Sequence, residues 1–115
     1  MNNDSIKQQA IYLALTNIPE GRVISYGALA SLAGLPNRAR LVGRILSQLP
    51  KDTHLPWHRV VNAQGKLSFA KDSPHFALQK TLLESEGICF VGDKINLRTY
   101  SYSVTSHHCD SGRLD

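Results

Sequence analysis

The chain has 115 residues, with 13 Lys plus Arg against 9 Asp plus Glu and a formal charge of +4. That length accommodates one compact domain and excludes the barrel and doubly wound enzyme folds, because two separate cores would each be too small to be stable. A hydrophobic content of 42% argues for a packed core; no apolar run approaches the ~20 residues of a membrane span, and Met1 to Asp4 lacks the basic and apolar regions of a signal peptide.

Ser5 to Asn17 reads as a helix, with Ile6, Ala10, Leu13, Ala14 and Ile18 at helical spacing and Pro19 with Gly21 ending it. A short second helix is expected over Tyr26 to Ala33, with Ser25 as N-cap. Gly34-Leu35-Pro36 makes a tight connection to a third helix from Asn37 to about Leu49. Its predicted buried stripe is Leu41, Val42, Ile45, Leu46 and Leu49, with Arg40, Arg44 and Gln48 on the other face. Two helices joined by such a turn form a helix-turn-helix pattern, and the arginine row on the second favours docking on DNA.

Beyond this point the period changes. His58 to Val61 and Lys66 to Phe69 flank the turn Asn62-Ala63-Gln64-Gly65, which predicts a hairpin like the wing of a winged helix domain. Ser73-Pro74 opens another helix and Gly87 caps it. Ile88 to Val91 and Lys94 to Leu97 read as short strands around Gly92-Asp93. The expected organisation is one α+β, mainly helical, winged helix-turn-helix domain over residues 1–102 and a disordered tail over 103–115.

The charge is unevenly placed. Gly21 to Lys71 holds eight basic residues and one acid, a net of +7 that leaves −3 for the rest. Such a basic middle is either a surface facing a polyanion or ordinary solvated Lys and Arg. Cys89 and Cys109 are too few and too distant for a disulfide framework, which points to a reducing, cytoplasmic setting, nucleoid-associated in a bacterium. Cys89, in an apolar segment, is expected to be a buried filler. His107-His108-Cys109-Asp110 is too contiguous to enclose a metal ion. With no phosphate-binding Gly loop or nucleotide fingerprint either, no metal or cofactor is expected.

Pro56-Trp57-His58-Arg59-Val60-Val61 resembles the Pro-Cys-His-Arg-Val signature of the O6-alkylguanine-DNA alkyltransferases, with Trp where that family has its alkyl-accepting Cys. Ile18 to Val23, Ser25 to Ala30, Gly34-Leu35-Pro36 with Ala39-Arg40 and Val42-Gly43, and Lys80, Leu82-Leu83 and Glu86-Gly87 resemble further family segments in the same order. Trp at the acceptor position marks the alkyltransferase-like subfamily. The resemblance implies a non-catalytic sensor of O6-alkylguanine in duplex DNA, a likeness to proteins that hand lesions to nucleotide excision repair and can block true alkyltransferases. The chemistry agrees, since an indole has no lone pair comparable to a thiolate's for accepting carbon.

The same resemblance implies the roles of individual residues. Tyr26 matches the residue that crowds the 3′ phosphate during flipping, and Arg40 the one that fills the gap left by the extruded nucleotide. Trp57 would wall the alkyl pocket, with His58, Arg59 and a poorly matched lid of Ser68, Ala70 and Lys71 around it. His58 and Glu86 match the pair that activates the thiol, and here are expected to be structural. Arg59 either holds backbone carbonyls or approaches the lesion. Ala39 and Gly43 are small, as a helix in the minor groove requires, while Arg38, Arg44, Lys51 and Lys66 are candidates for generic DNA contacts. A monomer is expected. The competing reading is a winged-helix transcription regulator that reads one sequence in the major groove; it leaves Pro56 to Val61 and Glu86 without a role.

Overall fold

The computed structural model describes residues 3–50 and 52–102. Lys51 and the expected tail, with Cys109 and His107 to Asp110, lie outside them. The first helix, α1 (Asn3–Thr16), packs on a helical pair, α2 (Tyr26–Leu32) and α3 (Ala39–Ser47). Its inward face differs from the predicted one: Ile11, Ala14, Leu15 and Ile18 are buried, whereas Ile6 and Leu13 are exposed. The buried four sit at i, i+3, i+4 and i+7, and Leu13, two residues from Ile11, falls on the opposite side of the helix.

Ser25 caps α2 as expected, its hydroxyl accepting from the Ala28 N–H at 3.1 Å. Helix α3 starts at Ala39 and not at Asn37, because Asn37 has φ of 65° and cannot continue a right-handed helix. Val42 and Ile45 are its buried residues, Leu41 and Leu46 pack partly against the core, and Arg40, Arg44 and Gln48 are exposed.

A 3₁₀ turn at Trp57–Arg59 leads into β2 (Val60–Val61), which pairs in parallel with β1 (Ile24–Ser25), Ile24 against Val60 and Ser25 against Val61. The predicted wing hairpin is therefore not formed. The turn exists, with Asn62 Oδ1 accepting from the Gln64 and Lys66 N–H groups. Its return limb, however, bridges Lys66 to Lys94, and does not form a strand pair with Val60-Val61. The reason lies in burial. Val60 packs with α1, α2 and α3, while Val61 packs with Leu67, Phe76, Leu83, Ile88 and Ile95. Side chains alternate along a strand, so this short pair divides two cores and both its faces are covered, as parallel strands require. A hairpin wing would leave one face in water.

Helix α4 (Pro74–Ser85) is capped by Ser73, whose hydroxyl accepts from the Phe76 N–H. It ends with the Gly87 N–H donating to Glu84 O and the Ile88 N–H to Leu83 O, with Gly87 at φ 93°. This is the paired closure that glycine permits, and Leu83 and Ile88 are both buried beside it. β3 (Phe90–Val91) and β4 (Lys94–Ile95) form an antiparallel ribbon. The second predicted strand is shorter than expected because Asn96 caps a one-turn helix, α5 (Leu97–Tyr100), by accepting from the Arg98 N–H. Cys89 is exposed, contrary to expectation: alternation turns Ile88 into the core and its neighbour outward. Among the described residues, no helix is long and apolar enough to cross a membrane.

Candidate nucleic-acid interface

The β1–β2 pairing brings the start of α2 beside the Trp57–Arg59 turn. Between them and α3 lies a cleft of about 450 Å³ whose lining includes Tyr26, Ala39, Arg40, Gly43, Trp57 and Ser68. Residues 42 positions apart in sequence, Tyr26 and Ser68, thus share one wall. Gly43 faces Tyr26: a Cβ there would stand 4.0 Å from the Tyr26 ring, an ordinary contact distance. Trp57 meets Phe69 edge-on at 6.3 Å, and Phe69 stacks on His75 at 5.1 Å. These aromatic contacts continue the wall outward. Phe69 carries no signal in the Pro56 to Val61 motif; its place in an exposed segment after a turn is the one local hint.

Glu86 organises the other side of Trp57. Its Oε2 accepts from His58 Nε2 at 2.7 Å and from Arg59 Nη2 at 2.7 Å; its Oε1 accepts from Arg59 Nε at 3.0 Å and from the Gly21 N–H at 3.2 Å. Arg59 Nη1 reaches Ile18 O at 2.8 Å. One carboxylate therefore ties the end of α4 to the 57–59 turn and to the loop after α1. Burial opposes its charge, but the donors from Arg59, His58 and Gly21 outweigh that cost and lower its pKa to about 2. An ionised carboxylate only accepts, so His58 carries its proton on Nε2, and Nδ1 is the nitrogen left for other partners.

The expected site residues are thus divided. Tyr26, Arg40, Trp57, Ser68, Ala39 and Gly43 line the cleft. His58 and Arg59 do not: with Thr16, His54 and Leu82 they line another cleft, which shares Trp57 with the first. The guanidinium of Arg59 is directed at Glu86 and at the Ile18 carbonyl. Ala70 and Lys71 line neither cleft; Lys71 pairs with Asp93 at 2.6 Å and is 75% exposed. Lys66 is exposed at its bridge to Lys94, and Arg38 and Arg44 are exposed on the α3 side. Cys89 lines neither cleft. Among the described residues, no three His, Cys, Asp or Glu side chains stand together as metal ligands do.

Beside Phe69, a second contributor was absent from the sequence-based expectations. Gln79, on α4, is 2% exposed and lines the Trp57 cleft. Its Nε2 donates to His58 O at 2.9 Å and to Val60 O at 3.0 Å, fixing the backbone on both sides of Arg59.

An exposed arginine row on the second helix of a helix-turn-helix, above an aromatic-walled cleft, defines a small domain of the DNA-binding class. The family model of the 6-O-methylguanine DNA methyltransferase, DNA binding domain, matches residues 7–88, and the chain belongs to this family. It is 38% identical over 104 residues to the DNA base-flipping protein of Escherichia coli K12, covering 90% of this chain and 79% of that one. To alkyltransferase-like protein 1 of Schizosaccharomyces pombe it is 39% identical over 97 residues, covering 80% and 90%. Its fold matches the crystal structure of S. pombe Atl1 in complex with damaged DNA containing O6-carboxymethylguanine, with a TM-score of 0.78, 36% identity and coverage of 90% and 99%.

Proposed function

We propose that this protein binds O6-alkylguanine in duplex DNA by turning the nucleotide into the Tyr26–Trp57 cleft, without removing the alkyl group. The observation that carries the reading is the convergence of Tyr26, Arg40 and Trp57 on one cleft beneath α3. Extruding a base costs a few kcal/mol. Stacking on an aromatic wall returns about 1–3 kcal/mol, and the flat guanidinium of Arg40 can stack in the gap while donating to the unpaired base. An indole at position 57 offers no carbon-accepting nucleophile, and Cys89 lines neither cleft. Its likeness to a base-flipping protein and to Atl1 bound to a lesion supports the same reading. Hand-over of the marked site to nucleotide excision repair proteins, and competition with true alkyltransferases, complete it.

The test is a titration of duplexes with and without one O6-methylguanine, followed by assay of the recovered DNA for the alkyl group. Tighter binding to the lesion with the adduct intact is expected. A protein that ignores the lesion and prefers one sequence would instead be a transcription regulator, and label transferred to protein would make it an enzyme.

A further inference from the structure

The β3–β4 ribbon has a third limb. The Ile95 N–H donates to Gly65 O at 2.8 Å and Lys66 bridges Lys94 in antiparallel sense, so the segment after the Asn62–Gly65 turn runs beside β4. Side chains alternate across limbs held in this way. Gly65, Leu67 and Ile95 are buried, whereas Lys66, Ser68, Lys94 and Val91 are exposed on the other face, with Val91 opposite Lys94 in register.

That outer face is basic. Lys71 pairs with Asp93 at 2.6 Å, and Lys80 Nζ stands 5.3 Å from the centre of the Phe90 ring. Four lysines thus gather at the ribbon against two acids, Asp72 and Asp93. Among the described residues, neither Lys66 nor Lys94 is in an ion pair. Like charges directly across a ladder repel each other, so an anion lying over both relieves a cost already present in the fold.

The same face runs into the Trp57 cleft. Ser68 lines that cleft, and Lys66 precedes it by two residues on the same side, about 7 Å at strand spacing. Lys94 lies one limb further, about 5 Å across. With phosphates about 3.4 Å apart along the helix axis, a strand whose nucleotide enters the cleft passes the two lysines about two to five nucleotides away.

We propose that the outer face of the β3–β4 ribbon, centred on Lys66 and Lys94, is a second DNA contact that holds the phosphate backbone of the duplex arm on one side of the lesion. The inference rests on the proposed reading of the cleft, because a nucleotide held beside Ser68 is what brings the backbone to the ribbon. Lys66 and Lys94 take one phosphate each, and Val91, 79% exposed between the limbs' ends, meets the sugars. Such contacts fix orientation on the duplex and carry no information about the base. An acidic protein segment would meet the same charges, but the polyanion in the cleft is the one that the shared face leads to the ribbon.

The test uses the full chain and duplexes with guanine or O6-methylguanine at one position, read by fluorescence anisotropy at several salt concentrations. The double variant Lys66→Gln with Lys94→Gln should flatten the log–log salt slope by about 1.8, the share of two phosphates. Its preference for the methylated over the unmodified duplex should stay within about twofold of wild type, since backbone contacts serve both duplexes alike. A second measurement needs only wild type: single phosphates are replaced by uncharged methylphosphonates along each strand. Replacements about two to five nucleotides from the lesion should weaken binding on one side of it. The double variant should be indifferent to those same replacements. A slope flattened by less than about 0.9, or a scan without that one-sided loss, overturns the inference. Both results together with a clear lesion preference would overturn it alone, whereas equal wild-type binding of the methylated and unmodified duplexes would overturn the lesion-pocket reading and the placement of the ribbon with it.

Discussion

Replacing Glu86 with Gln should expose how much stability one carboxylate supplies. Gln keeps the shape and one accepting oxygen but loses the charge that Arg59 and His58 are arranged around. The carboxyl's fall from 4.5 to about 2 corresponds to about 3 kcal/mol of stabilisation at pH 7. The side chains of Glu86 and Arg59 are only 10% and 16% exposed, so solvent screens the pair weakly. The sign follows from the lowered value: the contribution is complete above the unfolded value of 4.5 and is lost as pH falls through the folded value near 2. Protonated Glu86 resembles Gln, so the gap between wild type and Glu86→Gln should narrow to about 1.4 kcal/mol at pH 3 and close below pH 2. Urea unfolding at pH 7, 4 and 3 measures this directly. A gap under about 0.5 kcal/mol at pH 7, or one that does not change with pH, would refute the role of Glu86 as an ionised tie between α4, the 57–59 turn and the loop after α1.

Three further outcomes follow from the geometry. Arg44→Ala should reduce the steepness of the log–log salt dependence of DNA binding by about 0.9, the share of one phosphate contact, and an unchanged slope would remove Arg44 from the DNA footprint. Trp57→Cys should show at most weak transfer of a labelled alkyl group, because Ala70 and Lys71 of the expected lid line neither cleft and leave the substrate poorly placed over position 57; rapid stoichiometric transfer would contradict that. Gly65→Ala should cost at least about 2 kcal/mol, seen as a lower midpoint in thermal unfolding. Gly65 has φ of 83°, and a Cβ there would collide with the Ile95 carbonyl in the turn where the Ile95 N–H donates to Gly65 O; an unchanged midpoint would show that the turn relaxes.

Local features were readable in the sequence because their physics is local. Ser25 and Ser73 cap helices through bonds within three residues, and Gly87 closes α4 through bonds within five. The Pro56 to Val61 motif carries the family by itself, and the +7 segment contains Arg38, Arg40 and Arg44, all exposed on the α3 side. Other features depend on what lies across the molecule. Val60-Val61 beside a turn reads as a hairpin limb, and only the two cores on either side of it select the parallel partner 36 residues away. Cys89 reads as buried from its apolar neighbours, yet it is exposed just ahead of β3 while Ile88 beside it is buried.

For the site, sequence alone determined which side chains are present: an aromatic ring at position 57, an arginine row, and a His–Arg–Glu set. Tertiary structure decided their grouping. It placed Tyr26, Arg40 and Trp57 at one cleft and gave His58 and Arg59 to Glu86 at another. It also turned Gln79, which in a helical stretch looks like any solvated side chain, into a buried amide with one acceptor to spare. The reason is that residue type sets what a group can donate, accept or stack, whereas which partners remain unsatisfied is a property of packing between segments distant in the chain.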